Sequence, residues 1–263
     1  MSKLKVLELF AGTRSIGKVF EGRGHEVYSI EWDEVHKDID WYTDIGMITA
    51  EDILERFGRP DIIWASPDCT SYSMAGISHH RKKQDNGDLK PTSDYAKFCD
   101  EVNTNVMKLI KELNPLYYFI ENPRAGMRKM NFMQDMPRHT VTYCQYGDRR
   151  MKPTDIWTNH PNPQFKDPCK NGAPCHVAAP RGSTTGTQGM KNAILKAIIP
   201  NQLCEHIATI SENGVAKTYQ EMNIDELNHI KDYLGNQSHN SESDYEFTKL
   251  EIEEVNELIK RMK

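Results

Sequence analysis

Three short apolar runs, each breaking off on a turn or a carboxylate, constrain this chain more than any other feature. The run from Lys5 to Phe10 ends in Ala11-Gly12-Thr13, after which Ile16, Val19 and Phe20 recur at helical spacing. Asp61 to Ala65 leads into Ser66-Pro67-Asp68-Cys69, and Leu116 to Ile120 leads into Glu121-Asn122-Pro123. Between them Tyr95 to Leu113 carries a helical pattern, and an earlier β-prone run, Val27 to Ile30, finishes on Glu31-Trp32-Asp33. Strands alternating with helices predict an α/β fold, a parallel sheet with helices on both faces. In such sheets ligands and catalytic groups gather at the carboxyl ends of the strands, so Gly12, Glu31, Cys69 and Glu121 are expected on one edge.

The 263 residues suffice for one substantial domain and a smaller appendage. We expect an α/β domain over 1–150 and a small loop-rich insert over 151–190, where Pro, Gly, Thr and Asn concentrate. A return helix over 191–216 and a charged helical tail over 217–263 follow. In the tail Met222, Leu227, Ile230 and Leu234 share helical spacing, a face for docking or self-association. Oligomeric state is not legible. A net charge of -5 means that any basic binding face is local. The six cysteines are scattered and no apolar leader follows Met1, an arrangement expected of free thiols in a reducing cytoplasm. No apolar run approaches the roughly 20 residues of a membrane helix.

Phe10-Ala11-Gly12, with Glu31 roughly 20 residues beyond, fits an adenosine-type ligand whose ribose hydroxyls donate to the carboxylate. It fits an ordinary turn and a surface glutamate equally well. A lone cysteine is more often a small buried hydrophobe, but Cys69 follows a strand and a proline turn, which places its thiol at the catalytic edge.

Taken in order, Leu9-Phe10-Ala11-Gly12, Ile30-Glu31-Trp32-Asp33, Ser66-Pro67-Asp68-Cys69 through Gly76, and Ile120-Glu121-Asn122-Pro123 resemble the cytosine-5 DNA methyltransferase family. Tyr146-Gly147-Asp148-Arg149-Arg150 is similar to the family's tyrosine-glycine stretch with its arginines, and Ile199-Pro200 with Leu203 to its C-terminal motif. The resemblance spans roughly residues 4 to 210, and only the ordered set is specific. It implies a Rossmann-like, S-adenosylmethionine-dependent methyltransferase sheet, with catalysis and cofactor binding in 1–150 and target recognition in 151–190. The implied partners are DNA and S-adenosylmethionine, in the cytoplasm of a bacterial or phage-infected cell.

The resemblance makes Cys69 the nucleophile. A thiolate adds to carbon 6 of cytosine, and the resulting enamine accepts methyl at carbon 5. Glu121 assists at ring nitrogen 3. A free thiol has a pKa of about 8.5 and needs nearby positive charge, for which Arg149 or Arg150 is available, Arg150 being preferred. The cofactor set is Phe10, Ala11, Gly12, Glu31, Trp32, Asp44 and Pro67, with Glu31 on ribose, Trp32 on adenine and Asp44 on the adenine edge. A base stacked in a duplex is out of reach, so the cytosine must flip. The segment after Cys69 reads as a mobile loop. It carries His79-His80-Arg81-Lys82-Lys83, with Ser73, His80, Arg81 and Lys82 as the expected nucleic-acid contacts or, in isolation, a solvated charge cluster.

Three features depart from the family. Asp68, not proline, directly precedes the cysteine; Pro123 replaces valine; and Lys196-Ala197 stands where the family has glycine-asparagine. A carboxylate beside the thiol disfavours the thiolate if it points inward. Two other readings stay open: the same chemistry on RNA, since recognition of a ribose hydroxyl is not legible in these residues, and, from Asp68, a nucleic-acid-binding relative with weak or lost catalysis. The insert holds Cys169, Cys175 and His176, with Cys144 and His160 nearby, a set suited to zinc although the spacing is irregular. The alternative is thiols and an imidazole packing a loop without metal.

Overall fold

The computed structural model describes residues 3–178, 190, 192–216, 223–236 and 242–262. Its strands are β1 (Lys5–Leu9), β2 (Glu26–Glu31), β3 (Trp41–Tyr42), β4 (Ile62–Ala65), β5 (Arg81–Lys83), β6 (Leu89–Pro91), β7 (Tyr117–Pro123), β8 (Arg138–Thr142) and β9 (Pro153–Thr158). Its helices are α1 (Ser15–Gly22), α2 (Ala50–Arg56), α3 (Ile77–His80), α4 (Asp94–Leu113), α5 (Ala193–Ala197), α6 (Asn201–Ala216), α7 (Ile224–Gly235) and α8 (Glu242–Met262). Seven strands form one sheet in the order β3-β2-β1-β4-β7-β9-β8, and β5 and β6 form a separate hairpin. The first five of that order run parallel, while β9 lies antiparallel between β7 and β8.

Helices cover both faces, which is why the central strands read as near-continuous apolar runs. Val6, Ile62, Trp64, Phe119 and Ile156 face α1, α6, α7 and α8 through Phe20, Leu203, Ile207, Leu227, Ile230, Val255 and Ile259. Leu7, Leu9, Ile63, Ile120 and Trp157 face α2 and α4 through Ile53, Val106 and Leu109. Each such aliphatic side chain contributes about 1.5–3 kcal/mol by leaving water. Leu9 lies opposite both Ile30 and Ala65, and Ala65 opposite Ile120, so the carboxyl ends of four strands are level. Among the described residues no helix is long and apolar enough to cross a membrane.

Two expectations need correction. The composition shift at Met151 is no boundary, because Pro153–Thr158 is a central strand paired with β7. Its six residues hold only Ile156 and Trp157 as an apolar pair and lie among turn formers, so it reads as part of the loop. The single return helix is two: Pro200 has no N–H with which to continue α5, and its carbonyl accepts instead from Leu203 and Cys204 to open α6. The tail docks on the core, as the spacing of its apolar residues allows. His229 Nε2 donates to the Leu116 carbonyl at 2.6 Å, and its ring stacks on Tyr117 with centroids 5.3 Å apart. Leu227 and Ile230 enter the core, Leu234 packs against it, and Met222 lies outside the described residues.

Candidate active site

The β1–α1 turn is built around a buried ion pair that the sequence did not suggest. Glu8 accepts from Arg14 Nε at 3.1 Å and from the Gly17 N–H at 3.0 Å. Arg14, at φ 57°, also reaches the Asp38 carbonyl and Glu21. Burial pushes the Glu8 carboxyl up, against the pull of the Gly17 N–H and the Arg14 guanidinium. A Cβ on Gly17 would lie 2.3 Å from Glu8 Oε2, so only glycine lets the helix approach the carboxylate.

That turn presents Phe10, Ala11 and Gly12 to the Glu31 carboxylate. Gly12 N donates to Glu31 Oε2 at 3.0 Å, and Trp32 N and Asp33 N donate to Oε1 at 2.9 and 3.2 Å. Glu31 is buried, whereas the Trp32 ring beside it is 67% exposed, a large apolar face turned to solvent. Ser66 Oγ donates to the Phe10 carbonyl, tying this turn to the cysteine loop. Asp44 follows β3 on the same edge, where its carboxylate accepts from Gly46 N. Ile199 N donates to Ser15 Oγ, bringing the C-terminal motif against the turn. A carboxylate for ribose and an exposed indole for a purine fit the adenosine end of S-adenosylmethionine.

Cys69 leaves β4 through a buried Pro67, whose carbonyl accepts from Asn122 Nδ2 at 2.9 Å. The Asn122 bond joins the cysteine loop to β7, which carries Glu121. Asp68 is exposed and accepts from the Thr70 N–H, so it points outward. Burial first, and then the Asp68 and Glu121 charges, push the Cys69 thiol up to about 11, with Lys152 acting in the opposite sense. Glu121 is buried and accepts from Tyr143 Oη at 2.8 Å, and Lys152 Nζ stands 3.8 Å from the same oxygen. The ammonium also lies over the Tyr143 ring and donates to the Lys196 carbonyl.

The positive charge is therefore Lys152 and not Arg150. Arg150 binds Asp148 and the carbonyls of Leu195, Lys196 and Ile198, so its donors hold the chain between β8 and α6 together. Arg149 is exposed. Among the nucleic-acid candidates Arg81 also needs correction. It is buried, forks onto Asp100 at 2.8 and 2.9 Å and donates to Ser71, which anchors the segment after Cys69 instead of offering it to phosphate. That segment folds into α3 and the β5–β6 hairpin. Ser73 N donates to the Cys69 carbonyl, His80 Nδ1 lies 2.8 Å from Ser93 Oγ, and Lys82 is exposed opposite Lys90. Beyond the end of β8, Cys169, Cys175 and His176 do come together, joined by Cys144, while His160 packs on Tyr117.

Residues 4–136, just over half of the chain, match the C-5 cytosine-specific DNA methylase family. The chain belongs to that family. No curated protein matches it. Among solved structures it is similar to the Dnmt2 methyltransferase of S. pombe, with 14% identity and a TM-score of 0.42 over 59% of this chain and 49% of that one. It is also similar to the Entamoeba histolytica methyltransferase EhMeth, with 12% identity and a TM-score of 0.46 over 60% of this chain and 53% of that one. The chain spans about half the length of these structures.

Proposed function

We propose that this protein transfers a methyl group from S-adenosylmethionine to carbon 5 of a flipped cytosine in DNA, with Cys69 as the covalent nucleophile. The observation that carries the reading is the convergence of Cys69, Glu121 and Lys152 at one sheet edge, level with the Glu31 turn. When bound, S-adenosylmethionine supplies an electrophilic methyl group. Phe10, Ala11, Gly12, Glu31, Trp32, Asp44 and Pro67 line the edge where it would be held.

Glu121, held by Tyr143, orients the base and favours protonation at ring nitrogen 3, which makes carbon 6 electrophilic. The Cys69 thiolate then adds to carbon 6, and the enamine so formed takes the methyl group at carbon 5. Loss of the carbon 5 proton to solvent expels the cysteine and restores the aromatic ring. Burial opposes the thiolate, and the Lys152 ammonium counters it by offsetting the carboxylates around the sulfur. The exposed Lys82, Lys83 and Lys90 of the hairpin supply the local basic face that a chain of net charge -5 requires to meet a phosphate backbone.

DNA containing 5-fluorocytosine tests the whole scheme, since fluorine permits methyl transfer and blocks the final elimination. Wild-type protein with cofactor should form a denaturation-resistant complex with it, and Cys69→Ala should form none. Glu121→Gln should slow complex formation by about 10²- to 10⁴-fold. Undiminished methylation by Cys69→Ala would overturn the mechanism, and transfer to RNA but not to DNA would overturn the acceptor.

A further inference from the structure

Cys144 comes from the short turn after β8, whereas Cys169, Cys175 and His176 come from the loop after β9, yet their ligand atoms all lie within 4.8 Å of one another. Sγ of Cys144 is 3.0 Å from that of Cys169 and 3.6 Å from that of Cys175. His176 Nδ1 is 3.6 Å from both Cys169 Sγ and Cys175 Sγ. Tetrahedral zinc, with bonds of about 2.3 Å to sulfur and about 2.0–2.1 Å to nitrogen, separates sulfurs by about 3.8 Å and sulfur from nitrogen by about 3.6 Å. The two sulfur–nitrogen distances match and the Cys144–Cys175 distance lies close to the expected separation, while Cys144 and Cys169 are drawn well inside it.

The cluster's surroundings point the same way. The His176 ring turns Nδ1 to the sulfurs of Cys169 and Cys175, while its Nε2 is buried without a hydrogen-bond partner among the described residues, so Nδ1 is the nitrogen that a metal shared with the sulfurs would take. Cys169 N donates to Thr142 Oγ1, Val177 N to the Arg149 carbonyl and Lys166 N to Tyr146 Oη, so the backbone of each arm is already docked on the other. The cysteines are free thiols, and once deprotonated they would repel one another unless a cation sat between them. We infer that Cys144, Cys169, Cys175 and His176 form a closed Cys₃His zinc site. Four protein ligands leave no open position, so the metal is structural. It clips the loop after β9 onto the turn that leads through Asp148 and Arg150 to Lys152. This inference stands independently of the acceptor base.

Elemental analysis of protein purified without chelator should give about one zinc per chain, and cobalt(II) should replace it with the intense visible bands of a tetrahedral thiolate site. Cys144→Ala, Cys169→Ala and Cys175→Ala should each lose most of the metal, while Cys204→Ala, a buried thiol outside the cluster, should keep it. Excess chelator should lower the melting temperature of the wild type and leave that of the metal-free Cys175→Ala unchanged. Soluble, folded wild-type protein without zinc, or with a Cys144–Cys169 disulfide, would overturn the inference. Full metal content in Cys144→Ala would remove that residue as a ligand and with it the closed site.

Discussion

Lys152 Nζ lies 3.8 Å from Glu121 Oε1, at a turn residue of φ 27° that β9 brings beside β7. One lysine thus serves two carboxyl-edge groups, since it pairs with Glu121 and favours the Cys69 thiolate. Lys152→Met should raise the thiol pKa further, and each unit lowers the thiolate fraction at fixed pH tenfold. Alkylation of Cys69 by iodoacetamide at pH 8, followed by peptide mass spectrometry, should slow several-fold. Arg150→Met should change it much less, because Arg150 is committed to Asp148. The reverse order of effects would return the role to Arg150.

Asp68 supplies the second test of the thiol. With Cys69 at about 11, its alkylation rate should climb about tenfold per pH unit through the neutral range and level off only near that value. Asp68 raises the pKa, so Asp68→Asn removes a charge that opposes the thiolate and moves the whole profile to lower pH. The variant should react faster than wild type at pH 8, with a side-chain oxygen still available to the Thr70 N–H. A slower or unshifted profile would mean that Asp68 matters only for the turn.

The sheet edge is legible in the sequence because each strand ends on a breaker, which fixes where Gly12, Glu31, Cys69 and Glu121 emerge. Lys152 is not legible, since its place beside Cys69 depends on β9 entering antiparallel next to β7, and nothing local encodes that pairing. Arg81 reads as one of a basic run, and the strand it sits on changes its meaning. In β5 alternate residues face opposite ways, so Arg81 turns inward to Asp100 while Lys82 turns to solvent. Glu8 interrupts an apolar strand, which is itself a signal of a buried partner, but the strand pattern does not say that the partner is Arg14. Helical spacing gives the apolar face of α7, but only the fold gives what it packs on, Tyr117 and the core beneath it.

Docking of α7 makes stability depend on pH through His229. Burial pulls this imidazole below its ordinary range, outweighing the Leu116 carbonyl bond and Asp232. The unfolded chain therefore binds the proton more readily than the folded one, so stability is intact above about pH 6.5, the ordinary histidine value, and falls as the pH drops through it. Urea unfolding should show a midpoint that declines between about pH 7 and 5, and His229→Gln should flatten part of that decline. Leu227→Ala should cost about 2–5 kcal/mol at any pH, because it opens a cavity in the main core. A Leu227→Ala variant as stable as wild type would mean that the helix is not docked in solution.

The hairpin lysines give the proposed DNA contact a measurable signature. Lys82 and Lys90 face each other across β5 and β6, Lys83 follows at the end of β5, and all three are exposed, whereas Arg81 is spent on Asp100. If each lysine neutralises one phosphate, replacing all three by alanine should reduce the slope of log K against log salt by about 2–3, at roughly 0.9 per phosphate. Binding should weaken by a similar factor on every duplex sequence, because phosphate contacts position a protein without reading bases. Arg81→Ala should behave differently. It breaks a buried ion pair, so it should lower thermal stability and disorder the cysteine loop while leaving the salt slope of the residual folded protein close to wild type. Fluorescence anisotropy with one duplex at several salt concentrations separates the two outcomes. An unchanged slope in the triple lysine variant would move the DNA-binding face elsewhere.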